Sequence, residues 1–150
     1  MPDVHLVVPH SGAMSLLDRI VEADEKTLCA EVDIHPSVMF YGAQGVGAWI
    51  GIEYMAQTIA AQAGYHARRQ GEAIRIGFLL GTRRYVAHCS FFAPGRTLQV
   101  RASRLLKAEN GLGSFDCTVS DKQTQQVLAQ AILTVFQPDD AEQFLKGNAE

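Results

Sequence analysis

The sequence predicts an α+β domain in which one long helix is wrapped by a curved antiparallel sheet. Three observations carry that reading. The stretch GAWIGIEYMAQTIAAQAG, residues 47–64, has one charged side chain after Gly47, that of Glu53. Runs of strand length in which apolar and polar residues alternate stand before and after it. Asn110-Gly111, between two such runs, is the strongest short hairpin signal in the chain.

Taken in order, residues 1–13 carry Pro2, Pro9 and Ser11-Gly12 and read as an irregular lead-in with one helical turn near Pro9. Residues 14–22 read as a strand, and Asp24-Glu25-Lys26 as a turn. Leu28, Ala30, Val32 and Ile34 then alternate with Thr27, Cys29, Glu31 and Asp33, the pattern of a half-buried strand ended by His35-Pro36. Gly42, Gly45 and Gly47 lead into the helix, which runs to Arg69 with Gly71 at the expected C-terminal cap. An amphipathic surface helix shows a charged face, and this one shows none, so it should be buried nearly all round. Glu53, Gln57 and Gln62 exclude a membrane span. Strands follow at Ile74 to Leu80, with continuation to Cys89, then at Thr97 to Leu106, Gly113 to Val119 and Val127 to Val135. The tail after Pro138 suits one short helix. A single sheet covers only part of a helix, so a second copy joined edge to edge is expected.

With 150 residues, 47% hydrophobic and 19% charged, the chain fits one globular domain spanning residues 1–150. A net charge of −3 gives no general attraction to nucleic acid or anionic lipid. Cys29, Cys89 and Cys117 are far apart, odd in number and outside any zinc spacing, which suits reduced thiols in a cytoplasmic protein. No metal or cofactor is expected, because neither a phosphate-binding loop nor a dinucleotide fingerprint is present. The N-terminus lacks the basic and apolar regions of a signal peptide.

Several motifs carry a family resemblance. Val8-Pro9-His10 with Leu17-Asp18-Arg19 resembles the LPH…LLVDR opening of the 3-hydroxyacyl-ACP dehydratases of fatty-acid synthesis. Glu53-Tyr54-Met55-Ala56-Gln57 resembles their E-A-x-A-Q helix motif. Phe92-Ala93-Pro94-Gly95 resembles their V-x-P-G-D turn, with Arg96 where Asp is usual. The likeness covers nearly the whole chain and implies the hotdog fold. The strings IGIEYMAQ and IGFLLGTRRY look closer still to the ApeP-like dehydratases associated with aryl polyene gene clusters. The resemblance implies a dehydratase of 3-hydroxyacyl thioesters on acyl carrier protein or CoA. It also implies a homodimer or higher homo-oligomer, or a heterodimer with a related dehydratase.

In that family a loop histidine and a helix acid work as a pair. Glu53 matches the acid. The histidine has no counterpart: counting back from Glu53 reaches Met39, and counting on from Pro36 reaches Tyr41. The loop is about two residues shorter than the family motif, and the nearest histidine, His35, lies on the wrong side of Pro36. Of His10, His35 and His88, His10 has the best claim to the missing catalytic role, because it matches a family position near the tunnel. For each histidine alone, no role is the commoner outcome.

For Glu53 two readings stand: acid–base work, helped by burial that favours a protonated carboxyl, or a structural carboxylate paired with an arginine or hydrogen-bonded to loop amides. Gln57 either contacts substrate and Glu53 or is a satisfied core amide. The Gly45-Val46-Gly47-Ala48 turn either directs the amides of Gly47 and Ala48 at the thioester carbonyl or is glycine-rich only for packing. Tyr41 sits in the substrate loop, but its hydroxyl is a poor base near neutrality. Arg68, Arg69, Arg83 and Arg84 either form a patch for the carrier or lie on a solvated face. Trp49, Phe78, Phe91 and Phe92 either line an acyl tunnel or belong to the core. A thioesterase, in which a carboxylate activates water, and a non-catalytic subunit that shapes a partner's tunnel are the rival functions.

Overall fold

The computed structural model describes residues 15–71, 78–108 and 110–136. The expected helical turn near Pro9, the first part of the Ile74 strand and the tail helix lie outside them. The described elements are β1 (Arg19–Ala23), β2 (Thr27–Asp33), β3 (Tyr41–Gly42), β4 (Gly45–Gly47) and α1 (Gly51–Arg69). After the helix come β5 (Phe78–Ala87), β6 (Phe91–Phe92), β7 (Thr97–Lys107), β8 (Leu112–Asp121) and β9 (Val127–Phe136). All neighbouring strands are antiparallel, and the six long ones form one sheet in the order β1-β2-β7-β8-β9-β5. The short β3, β4 and β6 form a second sheet beside the start of the helix. This is the expected α+β arrangement: α1 lies across the concave side of the large sheet and packs on β2, β7, β8 and β9.

Alternation places the core. Leu98, Val100 and Ala102 of β7 face inward with Phe115, Cys117 and Val119 of β8 and Ala129, Ala131, Leu133 and Val135 of β9. The hairpin at Asn110-Gly111 forms as expected, with Gly111 at φ 94 and Asn110 Oδ1 accepting the Leu112 N–H. Gly71, at φ 71, closes the helix by donating to Arg68 O at 3.2 Å. That positive φ is what a glycine beyond the last helical residue supplies.

Two expectations need correction. The strand expected from Met14 starts only at Arg19, because the chain just before Asp18 passes over the helix, where Leu16 N–H donates to Gln57 Oε1 at 2.8 Å. Strand β2 is buried on both faces rather than one. Glu31 on its outer face is 2% exposed, closed over by Lys122 at 3.1 Å, Arg19 at 3.6 Å and Gln99 at 3.2 Å. Long polar side chains bury a strand as effectively as apolar ones when their charges find partners.

The motif residues Asp18 and Arg19 tie the sheet's edge. Asp18 Oδ2 accepts the Asp33 N–H at 2.7 Å, and Arg19 bridges Asp33 and Glu31. Arg96, where the family turn carries Asp, pairs with Asp121 at 2.7 Å. Asp121 Oδ1 also accepts the amides of Gln123 and Thr124 at 2.8 and 3.2 Å. The Arg96 hydrogen bond, aided by those amides, holds the Asp121 carboxyl below its ordinary 3.8. A carboxyl held down in the folded state adds stability above its unfolded value and loses it as pH falls through the folded one. Asp121→Asn should therefore destabilise the protein at pH 7. The gap to the parent should narrow below about pH 4, as urea denaturation at the two pH values would show.

Candidate functional site

The site is organised by the start of α1. Residues 48–50 form a single 3₁₀ turn before the α-helix begins at Gly51. Glu53, in the first turn, is the only acidic residue of the helix. The helix is not buried nearly all round, as its composition suggested. Tyr54, Met55, Thr58, Ile59, Ala61 and Gln62 face the sheet, but Trp49, Glu53, Ala56, Ala60 and Ala63 fall on a side the chain leaves partly open. Their spacing of four, three, four and three residues is one helical face. It is apolar apart from Glu53, and one subunit's sheet does not reach it.

Glu53 is exposed in the single chain, so this subunit alone does not supply the burial expected around it. Among the described residues, no arginine pairs with it and no hydrogen bond reaches its carboxylate. Trp49, one turn earlier, is 66% exposed and meets Phe91 edge-to-face at 6.4 Å, so an aromatic surface adjoins the carboxyl.

The other sequence candidates separate. Gln57 is buried with its Oε1 on the Leu16 N–H, as a satisfied amide would be. The four-residue step from Glu53 turns the side chain by about 40°, enough to carry it under the 15–18 segment. Gly47 lies in β4, where a Cβ would collide with the Trp49 ring. Gly45, at φ 105, has its own Cβ position filled by Phe92 O. The Ala48 amide does not point outward as an oxyanion donor, because it donates to Ser90 O at 3.0 Å. Close packing thus explains both of these glycines and the Ala48 amide. Tyr41 is half-buried in β3, after Phe40 at φ 68. Phe92 is fully buried against Tyr54 at 5.9 Å between ring centres, a core residue rather than a tunnel wall. The side chain of Phe78 lies outside the described residues. Arg68 and Arg69 end the helix, with Arg69 over the Tyr65 ring at 5.8 Å, whereas Arg84 sits in mid-strand β5.

His10 lies outside the described residues. His35 is exposed, its Nδ1 accepts the Ser37 N–H at 3.3 Å, and it borders a cavity of about 390 Å³. Leu16, Asp18, Met39 and Tyr54 also line that cavity, which thus adjoins Tyr54 rather than Glu53. His88 is exposed in the bend after β5. Sequence reasoning missed Tyr85, whose hydroxyl donates to Ala48 O at the start of the site. Two shifts in the pairing of β5 set its direction, the first after Leu79 and the second after Arg83, and alternation read along the sequence does not show them.

A model of the ApeP dehydratases matches residues 2–146. The chain belongs to the ApeP-like dehydratase family. Among solved structures, a chain of the dehydratase heterocomplex ApeI:P from Xenorhabdus doucetiae is 27% identical, with a TM-score of 0.87 over 99% of each chain. A hypothetical thioesterase with coenzyme A from Streptococcus pneumoniae TIGR4 is 10% identical, with a TM-score of 0.62 over 79% of this chain and 84% of that one. The E. coli PaaI protein of the phenylacetic acid degradation operon is 18% identical, with a TM-score of 0.59 over 79% and 77%. At those identities the last two share the fold alone. No curated protein sequence matches significantly. The ApeP-like chain therefore has the hotdog fold the motifs implied, with its helix motif Glu53 to Gln57 in the first two turns of α1. Among the described residues, no helix is long and apolar enough to cross a membrane.

Proposed function

We propose that this dehydratase acts on 3-hydroxyacyl thioesters, carried on acyl carrier protein or CoA, as one half of a pair with a related dehydratase in the cytoplasm. The observation that carries the reading is Glu53, a lone carboxyl with no partner among the described residues, on a helix face that its own sheet leaves open. In the reaction, a base takes the α-proton, the carbon–carbon double bond forms, and the β-hydroxyl leaves as water with a proton from an acid. Glu53 is the acid, and the protomer laid over its face shields it from water.

The base comes from across the subunit boundary. The loop positions that match the family histidine hold Met39 and Tyr41, and His35 borders a cavity beside Tyr54 instead. His10 is the rival within this chain. Pairing is supported by strand β5, which among the described residues ends the sheet with an open edge, and by the apolar helix face, since uncovered edges and faces of this kind invite a second chain. It is supported too by the heterocomplex that contains the related Xenorhabdus chain. Free Cys29, Cys89 and Cys117 fit a reducing compartment.

The test is co-expression with a related dehydratase that carries the loop histidine, followed by an assay for conjugated enoyl product from a 3-hydroxyacyl thioester. Product from the pair, little from this chain alone, and loss on removing the partner's histidine are expected. Equal activity of a homodimer that ignores the partner would reject the pairing, and a His10→Ala variant that abolishes that activity would move the base to this chain.

A further inference from the structure

Tyr85 reaches the site by a detour in the backbone. Along β5, Arg83 pairs with Ile132 and Val86 with Gln130, so Arg84 and Tyr85 together oppose Ala131. The extra residue is a β-bulge, and Arg84 within it adopts φ 51, a conformation that non-glycine residues rarely take. The bulge reverses the alternation. Tyr85 joins the buried side with Ala131, while Val86 faces outward with Gln130. At the end of this path the Tyr85 hydroxyl donates to the carbonyl oxygen of Ala48.

Both peptide groups of Ala48 are therefore held. Its N–H donates to Ser90 O at 3.0 Å, and its oxygen accepts from Tyr85 and from the Gly51 N–H that closes the 3₁₀ turn. Gly51 makes the room. A Cβ there would collide with the Tyr85 hydroxyl and lie 3.3 Å from Phe92 Cζ. The need for this space explains a glycine at the first position of α1. Burial pushes the Tyr85 hydroxyl up to about 12, which keeps it a donor over the working pH range.

We infer that Tyr85 is a positioning residue of the site: by holding Ala48 O it fixes the turn that presents Trp49 and Glu53 on the open helix face. The inference rests on the reading of Glu53 as the acid. Its location also matters, because among the described residues β5 is one of the two outer strands of the sheet, so a strand placed to meet a second chain carries the latch on the helix start.

Trp49 is the only tryptophan of the chain and reports on this turn directly. In the partnered complex, Tyr85→Phe should leave the circular dichroism unchanged, shift Trp49 emission and make it more accessible to acrylamide. Turnover should fall about tenfold, the scale of one lost hydrogen bond, with KM within about twofold. Gly51→Ala should produce the same signature by displacing the hydroxyl. The double variant should be little worse than Gly51→Ala alone, because the two changes break one contact. Should Tyr85→Phe fail to fold, Gly51→Ala carries the test. A folded variant with parent Trp49 emission and parent turnover would overturn the inference. Glu53→Gln with parent turnover would instead remove the acid, and Trp49 emission of Tyr85→Phe would still decide whether the latch exists.

Discussion

Glu53→Gln, assayed in the partnered complex, should lower formation of the enoyl product by about 10²–10⁴-fold, the usual contribution of a positioned acid or base. Glutamine keeps the size and a hydrogen-bonding group but cannot give up a proton to the leaving hydroxyl. In the unpartnered chain Glu53 is exposed and makes no hydrogen bond or ion pair among the described residues, so there the same change should leave stability within about 0.5 kcal/mol. That combination separates a chemical role from a structural one. A carboxylate that served folding would show the reverse, a lower melting temperature with turnover kept per folded molecule. Glu53→Asp should fall between the parent and glutamine, because the carboxyl is retained but withdrawn by one methylene. A Glu53→Gln complex that turns over at the parent rate would end the catalytic assignment.

Phe92→Ala is expected to have the largest effect on stability, about 3–5 kcal/mol. Phe92 is fully buried at the point where the small sheet meets the helix. Its ring lies 5.9 Å from that of Tyr54, its Cζ approaches Gly51, and its carbonyl fills the space a side chain on Gly45 would need. Removing the ring opens a cavity that none of these neighbours can fill. For a chain of this length each kcal/mol is worth roughly 2–4 °C, so the melting temperature should drop by about 6–20 °C. Phe92→Leu should recover much of the loss. A melting temperature within about 2 °C of the parent, at a ΔΔG under about 1 kcal/mol, would show that β3, β4 and β6 are not part of the cooperative unit.

Much of the architecture was legible because it is local. The runs that became β7, β8 and β9 alternate with period two, and their inward residues follow from that alternation. Gly71 and Gly111 stand where a positive φ is needed, and few other residues adopt one. The helix motif pointed to Glu53 for a chemical reason, since a lone carboxyl in an apolar stretch requires either a partner or a task.

What was not legible depends on pairing between distant segments. An apolar helix reads the same whether its own sheet covers it on every side or leaves one side for another protein. Only the packing of α1 shows that the open side runs through Trp49, Glu53, Ala56, Ala60 and Ala63. The glycines before the helix suggested free amides, yet Ser90 takes the Ala48 N–H and neighbouring atoms fill the places of side chains at Gly45 and Gly47. Tyr85 reaches the inner side through two shifts in the pairing of β5, the second of them opposite Ala131.

The amino-acid order alone determined the α+β class, the hairpin and the identity of the candidate acid. Each of these follows from periodicity, from backbone freedom or from the chemistry of a single side chain. The folded chain decided which side of the helix stays open, which amides are already occupied and which tyrosine holds the turn before Glu53. Those depend on strand register and on contacts between residues tens of positions apart, which no local pattern encodes.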